Sequence, residues 1–245
     1  MLGKAEKDPS PGGTAALPPI RAETWTMTRE EIRKRIVEIG IVPIVRASSA
    51  TQARQAAEAV CAGGIPIVEV TMTVPGAIDV IKELIKSLGT EVLVGAGTVL
   101  DAETAQRCID AGAEFIVSPG FDPDTVALAK RLGKPMMAGA LTPTEVIAAW
   151  RSGSDFVKIF PCGTVGGPKY IKALKAPLPQ IPMIPTGGVN LNTAAEFIQA
   201  GADALGIGGE VVLPSALKSG DMKTITETAR QFLAIVRDAR TTRAS

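Results

Sequence analysis

Residues 65–98, IPIVEVTMTVPGAIDVIKELIKSLGTEVLVGAGT, contain the structural unit that the rest of the chain repeats. The segment begins with an apolar run, continues with an amphipathic stretch, and ends with a second apolar run. Short apolar runs bounded by glycine and proline predict buried strands, and the amphipathic stretch between them predicts a helix. A strand followed by a helix and another strand predicts a parallel βαβ unit.

From residue 41 onward the chain contains eight such apolar runs, separated by amphipathic stretches. The runs are IVPIVRA, IPIVEVTMT, EVLVGAGT, EFIVSPG, KPMMAGALT, DFVKIFP, IPMIPTGG and ADALGIGG. Strands that are apolar throughout are buried on both faces, as in a parallel sheet. The pattern predicts an α/β fold, a (β/α)8 TIM barrel. An open doubly wound sheet is the alternative, although the G-x-G-x-x-G fingerprint is missing after the first run.

The helix boundaries and the domain limits follow from capping residues and composition. Thr28 with Glu31 predicts a capping box that starts an extra N-terminal helix. Residues 1–26, rich in proline and glycine, predict a flexible tail without a catalytic part, which leaves residues 27–245 as a single barrel domain. A glycine before each even-numbered run predicts a left-handed helix end. The expected helix starts are Ser49, Thr73, Asp101, Asp122, Thr142, Pro168 and Asn192.

The composition narrows the possible chemistry. The chain has no histidine, which excludes a Ser-His-Asp triad, a Cys-His dyad and a histidine metal site. Any general acid or base must be a carboxylate, a lysine, a tyrosine or water. Three widely spaced cysteines favour neither disulfides nor zinc and are typical of a reducing, cytoplasmic setting. A net charge of +1, few aromatic residues and no long apolar segment predict neither a nucleic-acid partner nor a membrane.

Polar residues interrupt the apolar runs near their C-terminal ends, where barrels of this kind place their active sites. Lys158 lies inside FVKIFP, and Glu69 lies inside IPIVEVTMT. Burial favours the neutral amine of a lysine, which can attack a carbonyl and form a Schiff base, while Glu69 could transfer protons. Two structural alternatives remain open. Glu69 could form a buried ion pair with Lys158 or Arg46, or Lys158 could extend its charge to water.

Glycine pairs follow the sixth, seventh and eighth runs. Backbone N–H groups in such loops, at neighbouring strand ends of a barrel, commonly bind phosphate. Ordinary tight turns are the alternative interpretation. The predicted phosphate-binding residues are Gly166, Gly167, Gly187, Gly188, Gly208 and Gly209.

The motifs EVTMTVP, GAGTV, FIVSPG, VKIFP and PTGGV, in this order, resemble a known enzyme family. It is the class I aldolase of 2-dehydro-3-deoxy-6-phosphogluconate (KDPG), which often also acts on 4-hydroxy-2-oxoglutarate (KHG). The similarity extends from about residue 28 to residue 240. The resemblance implies a homotrimeric barrel without a metal or another cofactor. It also implies reversible cleavage of KDPG to pyruvate and D-glyceraldehyde 3-phosphate, and of KHG to pyruvate and glyoxylate.

The resemblance implies a role for several residues. Lys158 matches the lysine that forms the Schiff base with the 2-oxo acid substrate, and Glu69 matches the general acid/base. Further positions match residues that line the pyruvate pocket or hold the substrate carboxylate and hydroxyls. These positions are Arg46, Thr73, Thr98, Pro119 and Phe160.

Two positions depart from the family pattern. Some members carry an arginine at the place of Thr73, so carboxylate binding depends more on Arg46. Many members have a phosphate-contacting serine near the place of Glu210. If Glu210 points into the pocket, its charge repels a phosphate. Under that hypothesis, activity on a phosphorylated substrate is weak, and a non-phosphorylated 2-oxo-3-deoxy sugar acid becomes the better substrate.

Two other function classes remain as alternatives. A phosphate-binding barrel isomerase or epimerase would use Glu69 without covalent chemistry at Lys158. A non-catalytic trimeric scaffold would turn over no 2-oxo acid. An imine adduct at Lys158 would distinguish the aldolase from both.

Overall fold

The computed structural model describes residues 27–244, so the predicted tail of residues 1–26 lies outside the described residues. Within this range, eight strands alternate with helices. The strands are β1 (Ile41–Val45), β2 (Ile67–Thr71), β3 (Leu93–Gly97), β4 (Ile116–Val117), β5 (Met136–Ala140), β6 (Phe156–Ile159), β7 (Met183–Pro185) and β8 (Leu205–Ile207). The helices are α1 (Arg29–Ile39), α2 (Ala50–Ala62), α3 (Ala77–Leu88), α4 (Ala102–Asp110), α5 (Pro123–Arg131), α6 (Pro143–Ser152), α7 (Pro168–Lys175), α8 (Ala194–Gln199), α9 (Pro214–Ser219) and α10 (Met222–Ala244).

The strands form a closed barrel, as predicted. Parallel pairs run from β8 through β1 and then in chain order to β7. The seam between β7 and β8 closes through a parallel bridge between Thr186 and Gly206. Every residue of the eight strands is buried, because the barrel interior covers one face and the helices cover the other. The open doubly wound alternative is therefore wrong.

The extra N-terminal helix α1 is confirmed, and an ion pair is among the contacts that attach it to the barrel. Thr28 and Glu31 form the predicted capping box at its start. Arg29 then donates to the carboxylate of Asp155, with an N–O distance of 2.8 Å. The same carboxylate oxygen accepts from the backbone N–H of Met136 at 2.9 Å, so one side chain connects α1 to the starts of β5 and β6.

Most predicted helix starts are confirmed. The side chains of Ser49, Asp101, Asp122 and Thr142 cap α2, α4, α5 and α6, and Pro168 is the first residue of α7. The left-handed glycine ends are confirmed as well. The residues concerned, which return the chain to the even-numbered strands, are Gly64, Gly112, Gly153 and Gly201, with φ between 94° and 108°.

Two predicted helix starts are wrong. Helix α3 begins after Gly76 rather than Thr73, because a turn intervenes in which the N–H of Val74 donates to the Thr71 carbonyl. The Thr73 hydroxyl is already hydrogen-bonded to the Thr71 hydroxyl at 2.7 Å. Helix α8 begins one residue later than predicted. Its N-cap position is Thr193 instead of Asn192, because a turn organised by the Asn190 side chain precedes the helix.

Across residues 27–244, no helix combines the length and the apolar character that a membrane span requires.

Candidate active site

Lys158 lies in the middle of β6 and is almost completely buried, with 4% of its surface exposed. Its neighbours along the strand, Val157 and Ile159, are fully buried. The amine nitrogen lies 5.5 Å from the centre of the Phe160 ring, within the range of a cation–π interaction. The alternative of a lysine that extends its charge to bulk water is therefore wrong.

Glu69 is the acidic partner on the opposite side of the barrel interior, in β2, and only 2% of its surface is exposed. Burial raises the pKa of its carboxyl, while the positive charges of Lys158 and Arg46 act in the opposite direction. A carboxyl that keeps its proton more readily than usual is suited to alternate between acid and base. Among residues with described side chains, Glu69 forms no ion pair within 4 Å, so the ion-pair alternative is not supported.

The Glu69 carboxyl lies against Gly97 on the neighbouring strand β3. A Cβ at Gly97 would lie 1.8 Å from Glu69 Oε1, so only glycine leaves room for the carboxyl. In the described part of the chain, that oxygen has no hydrogen-bond partner. Buried polar atoms are normally hydrogen-bonded, and an exception marks a position where a substrate group or water can bind.

Thr186 repeats this arrangement at the β7–β8 seam. The residue is 4% exposed, and its Oγ1 also has no hydrogen-bond partner among the described residues. A Cβ at Gly206 would lie 2.2 Å from this oxygen. We did not predict Thr186 as a site residue. The sequence feature that could have identified it is a threonine at the end of a strand, directly before two glycines and next to a glycine-rich strand.

A third glycine positions Pro119. A Cβ at Gly139 in β5 would lie 2.1 Å from the carbonyl carbon of Pro119. Gly139 is also the register partner of Lys158 in the adjacent strand. The backbone of the Pro119 loop therefore packs directly on the strand beside the lysine, and a role for Pro119 in lining the pocket stays a prediction.

Thr98 directly follows β3 and adopts an unusual backbone conformation. Its φ is +51°, the only positive value at a non-glycine residue in the described chain. Such a conformation costs on the order of 1–3 kcal/mol and is concentrated at functional sites. Since Gly97 precedes it, Thr98 is held next to the residue that accommodates Glu69.

A cavity of about 220 Å³ opens at the C-terminal ends of β1, β6, β7 and β8. It brings together many predicted site residues, along with Thr186 and Glu210. Its lining includes Arg46, Phe160, Thr186, Gly187, Gly188, Gly208, Gly209 and Glu210. Gly166 and Gly167 lie in the connection between β6 and α7 and are not among the described residues that line this cavity.

Thr73 lies on a different part of the rim. It borders a neighbouring cavity, which shares Arg46 with the first one. Its hydroxyl is hydrogen-bonded to Thr71, which in turn donates to the Val45 carbonyl at 3.2 Å. The structure thus brings Arg46 and Phe160 to the central cavity and leaves Thr73 beside it.

The cysteines take no part in this arrangement. Burial raises the pKa of the Cys162 thiol to about 12, and those of Cys61 and Cys108 to about 11. Thiols with such pKa values are inert at neutral pH. Across the described residues, no cluster of three or more acidic or cysteine side chains could hold a metal ion.

Comparison with known proteins places this geometry in a family. The family model described as KDPG and KHG aldolase matches residues 32–228, which is most of the chain. A relative from Treponema pallidum, named 2-dehydro-3-deoxy-phosphogluconate aldolase, is 36% identical over 206 residues. That alignment covers 84% of this chain and 97% of the relative.

Two solved structures share the fold at 29% identity. The first is a KDPG aldolase from Legionella pneumophila with pyruvate captured as a covalent carbinolamine intermediate. The match has a TM-score of 0.75 and covers 81% of this chain and 96% of the other. The second is a cube-shaped protein cage designed by fusing symmetric oligomeric domains, with a TM-score of 0.76 and coverage of 84% and 74%.

Both the family model and the relative cover the barrel strands that carry Glu69 and Lys158. The chain therefore belongs to the KDPG and KHG aldolase family.

Proposed function

We propose that this protein is a class I aldolase that reversibly cleaves KDPG to pyruvate and D-glyceraldehyde 3-phosphate, and KHG to pyruvate and glyoxylate. The proposal rests mainly on one observation: Lys158 and Glu69 are both buried in the barrel. Both side chains are at least 96% buried, yet no ion pair within 4 Å joins them among the described residues. Each is left available for a substrate.

The reaction begins at Lys158. After its ammonium form has released a proton to water, the amine attacks the C2 carbonyl of the 2-oxo acid and forms a carbinolamine. A proton from Glu69 lets the carbinolamine hydroxyl leave as water, and the product is an iminium. The raised pKa of Glu69 supports this step, because a carboxyl that holds its proton can donate it.

Glu69, now a carboxylate, then takes the proton of the C4 hydroxyl. The C3–C4 bond breaks, its electron pair moves into the iminium, and an enamine and the aldehyde product form. Glu69 returns the proton to C3 of the enamine, and hydrolysis of the resulting iminium releases pyruvate and restores the amine of Lys158. One carboxyl thus serves the proton transfers of dehydration and of carbon–carbon cleavage, and a carboxyl is one of the acid/base groups that remain to a chain without histidine.

The remaining site residues hold the substrate in this scheme. The guanidinium of Arg46 pairs with the substrate carboxylate, for which its planar geometry is suited. Thr98, Pro119 and Phe160 enclose the pyruvate part, and Thr73 supports the rim beside Arg46. The Thr186 hydroxyl, which has no hydrogen-bond partner among residues 27–244, is available to a substrate hydroxyl. The glycine loops supply backbone N–H groups for the phosphate; Gly187, Gly188, Gly208 and Gly209 support this by lining the cavity.

The test is reductive trapping. The protein is incubated with pyruvate and borohydride, and the product is analysed by intact-protein and peptide mass spectrometry. We expect one reduced pyruvate adduct on Lys158, none in Lys158→Ala, and a normal adduct in Lys172→Ala, which removes an exposed lysine of α7. Folded protein that forms no adduct would refute the Schiff-base mechanism and leave an isomerase, an epimerase or a scaffold.

One observation favours a second substrate class. Glu210 lines the central cavity together with the glycine loops, which supports the hypothesis that its carboxylate points towards the place predicted for the phosphate. A non-phosphorylated 2-oxo-3-deoxy sugar acid avoids that repulsion. Turnover of KDPG is compared with that of its dephosphorylated counterpart, and a large preference for KDPG would remove this alternative.

We also propose that the protein is a cytoplasmic homotrimer built on the single barrel domain of residues 27–245. The similarity to a cage assembled from symmetric oligomeric domains supports oligomerisation. Analytical ultracentrifugation tests this assembly, and a monomer at micromolar concentration would contradict it.

A further inference from the structure

A serine hydroxyl joins strand β6, which carries Lys158, to the neighbouring strand β5. Ser154 lies two residues before β6 and is buried, with 2% of its surface exposed. Its Oγ accepts from the backbone N–H of Ala138 in β5 at 3.0 Å. The hydroxyl proton has two acceptors within reach, the carbonyl of Phe156 in β6 at 2.7 Å and that of Met136 in β5 at 3.0 Å. One hydroxyl is therefore bonded to the backbone of both strands.

The next residue, Asp155, makes a contact that recurs elsewhere in the barrel. Its Oδ2 accepts from the N–H of Met136 at the start of β5, at 2.9 Å. At the corresponding place before β8, Asp203 Oδ2 accepts from the N–H of Met183 at the start of β7, at 2.8 Å. The carboxylate contact is thus shared by two strand pairs and is not specific to the strand of Lys158.

The hydroxyl, in contrast, is specific to the repeat that leads into β6. Four segments lead from a left-handed glycine into an even-numbered strand: CAGGIPIVE, DAGAEFIVS, RSGSDFVKI and QAGADALGI. The residue after that glycine is Ile65, Ala113, Ser154 or Ala202, and all four are buried. Burying a hydroxyl costs free energy unless it is hydrogen-bonded, so its presence in one copy alone points to a use for its bonds.

The position of Lys158 in the barrel depends on the register between β5 and β6. Lys158 is paired with Gly139. Its amine lies 5.5 Å from the ring of Phe160, which lines the central cavity, so the side chain points into the barrel. Side chains alternate between the two faces of a strand, and a shift of one residue would turn the lysine towards the helices.

Hydrophobic burial defines this register only weakly. Every residue of β5 and β6 is buried, and β5 consists of methionine, alanine and glycine. A strand that is buried on both faces loses little burial when it shifts by one residue, and glycine-rich strands are prone to such shifts. Another interaction is therefore needed to select the register that places Lys158 in the interior.

The bonds of Ser154 supply that selection. Its partners in β5, the Met136 carbonyl and the Ala138 N–H, point towards β6. The Met137 carbonyl and the Gly139 N–H point the other way and are bonded to the residues that follow β4. After a shift of one residue, the Ser154 hydroxyl would face peptide groups that point away from it. A buried hydroxyl without partners is costly, so the shifted register is disfavoured.

We infer that Ser154 is a positioning residue of this aldolase: its hydroxyl sets the register of β6 on β5 and thereby holds Lys158 in the barrel interior. Ser154 precedes Lys158 by four residues, or about 13 Å along the strand, so it acts through the backbone and touches no substrate. The effect on the reaction rests on the proposed function, whereas the register does not. Alanine is the natural residue at the corresponding positions 113 and 202, so Ser154→Ala is expected to fold.

The first experiment separates positioning from stability. Exchange of the pyruvate methyl protons in D2O requires the imine and the enamine at Lys158 but no aldehyde, and NMR follows it. In folded Ser154→Ala, we expect kcat for this exchange to fall by about 10- to 100-fold. The KM for pyruvate should change by less than about twofold, because Arg46 and Thr98 follow other strands.

The controls are a serine outside the strand pair and a variant that keeps the hydroxyl. Ser152→Ala removes a hydroxyl that is bonded to the Ala149 carbonyl within α6, at 2.7 Å, and should keep the natural kcat. Ser154→Thr should keep most of the rate. An unchanged kcat in folded Ser154→Ala, with only a lower stability to denaturant, would overturn the proposal.

The second experiment tests the register without reference to the reaction. Backbone amide hydrogen exchange is measured by NMR, and we expect the Ala138 amide to exchange at least about tenfold faster in Ser154→Ala than in the natural protein. An equal exchange rate would overturn the proposal, as would a Ser154→Thr variant that protects this amide and still loses kcat. If the natural protein does not exchange pyruvate protons, the proposed function fails, and the Ala138 amide still decides whether Ser154 sets the register.

Discussion

Replacing Gly139 by alanine places a methyl group where the structure has no room for it. The new Cβ would lie 2.1 Å from the carbonyl carbon of Pro119, 2.2 Å from its oxygen and 2.4 Å from the nitrogen of Gly120. All three are backbone atoms, so no side-chain rotation can relieve the contact. Gly139 is the register partner of Lys158, and Pro119 is proposed to line the pyruvate pocket, so the overlap lies between two parts of the site.

The size of the effect follows from these distances. Ordinary van der Waals contact begins near 3.4 Å, so the Pro119 loop and β5 must separate by about 1.3 Å. Overpacking of this kind typically lowers the free energy of unfolding by about 1–3 kcal/mol. A misplacement of about 1 Å in a catalytic arrangement can lower the rate by about 100-fold. We therefore expect a folded but weakened enzyme whose kcat/KM falls by about 100-fold.

Three measurements check this prediction: steady-state cleavage of KDPG, trapping of the pyruvate adduct at Lys158, and denaturant unfolding. The matched control is Gly120→Ala, because a Cβ at Gly120 meets nothing within 4 Å in the described structure. We expect the control to keep kcat/KM within about twofold. If Gly139→Ala keeps both its activity and its stability, the Pro119 loop moves freely, and the argument that glycines shape this site is wrong.

Further predictions concern Glu69, Thr186, Asp155 and Glu210. Glu69→Gln should lower kcat by about 10² to 10⁴ in KDPG cleavage assays, because the proton transfers lose their carboxyl. Burial raises the pKa of Glu69, so the folded protein holds this proton more tightly than the unfolded chain does. The free energy of unfolding should therefore fall as the pH rises above the carboxyl's ordinary value of 4.5, and less so in Glu69→Gln, as denaturant unfolding at several pH values would show. Thr186→Val should fold normally and lower kcat/KM by about tenfold if the free hydroxyl contacts substrate, and equal kinetics would contradict this role. Asp155→Ala should lower the free energy of unfolding by about 3 kcal/mol in urea titrations, because the Met136 N–H loses its acceptor and Arg29 loses its ion pair and keeps the Gly153 carbonyl; a change below about 1 kcal/mol would show that α1 is held by its other contacts. Glu210→Gln should raise kcat/KM for KDPG several-fold and leave the dephosphorylated substrate unaffected, and an unchanged preference would place this carboxylate away from the phosphate.

The barrel and its main chemical groups were predictable because they depend on local patterns. A buried parallel strand is apolar along its whole length, so each of the eight runs is recognisable without knowledge of its neighbours. Lys158 and Glu69 stand out because they break those runs. The helix starts at Thr73 and Asn192 were predicted wrongly, because neighbouring turns at Thr71 and Asn190 already engage the nearby backbone and side chains.

The glycines inside the strands show where sequence reasoning reached its limit. The sequence predicts that glycines end helices and form phosphate-binding loops, and both roles depend only on residues nearby in the chain. Gly97, Gly139 and Gly206 act instead on residues of an adjacent element: Glu69, Pro119 and Thr186. The pairing register of the barrel determines which residue faces each glycine, and no spacing along the chain encodes that register.

The sequence by itself determined the repeated strand and helix pattern, the absence of histidine chemistry and the identity of the lysine and the carboxylate, because each depends on residue type and period alone. Tertiary structure decided the rest. It placed Arg46 on the lining of two neighbouring cavities, left Glu69 Oε1 and Thr186 Oγ1 without hydrogen-bond partners in the described chain, and did not bring Gly166 and Gly167 to the lining of the central cavity. These properties arise from distances between residues far apart in the chain, which only closure of the barrel sets.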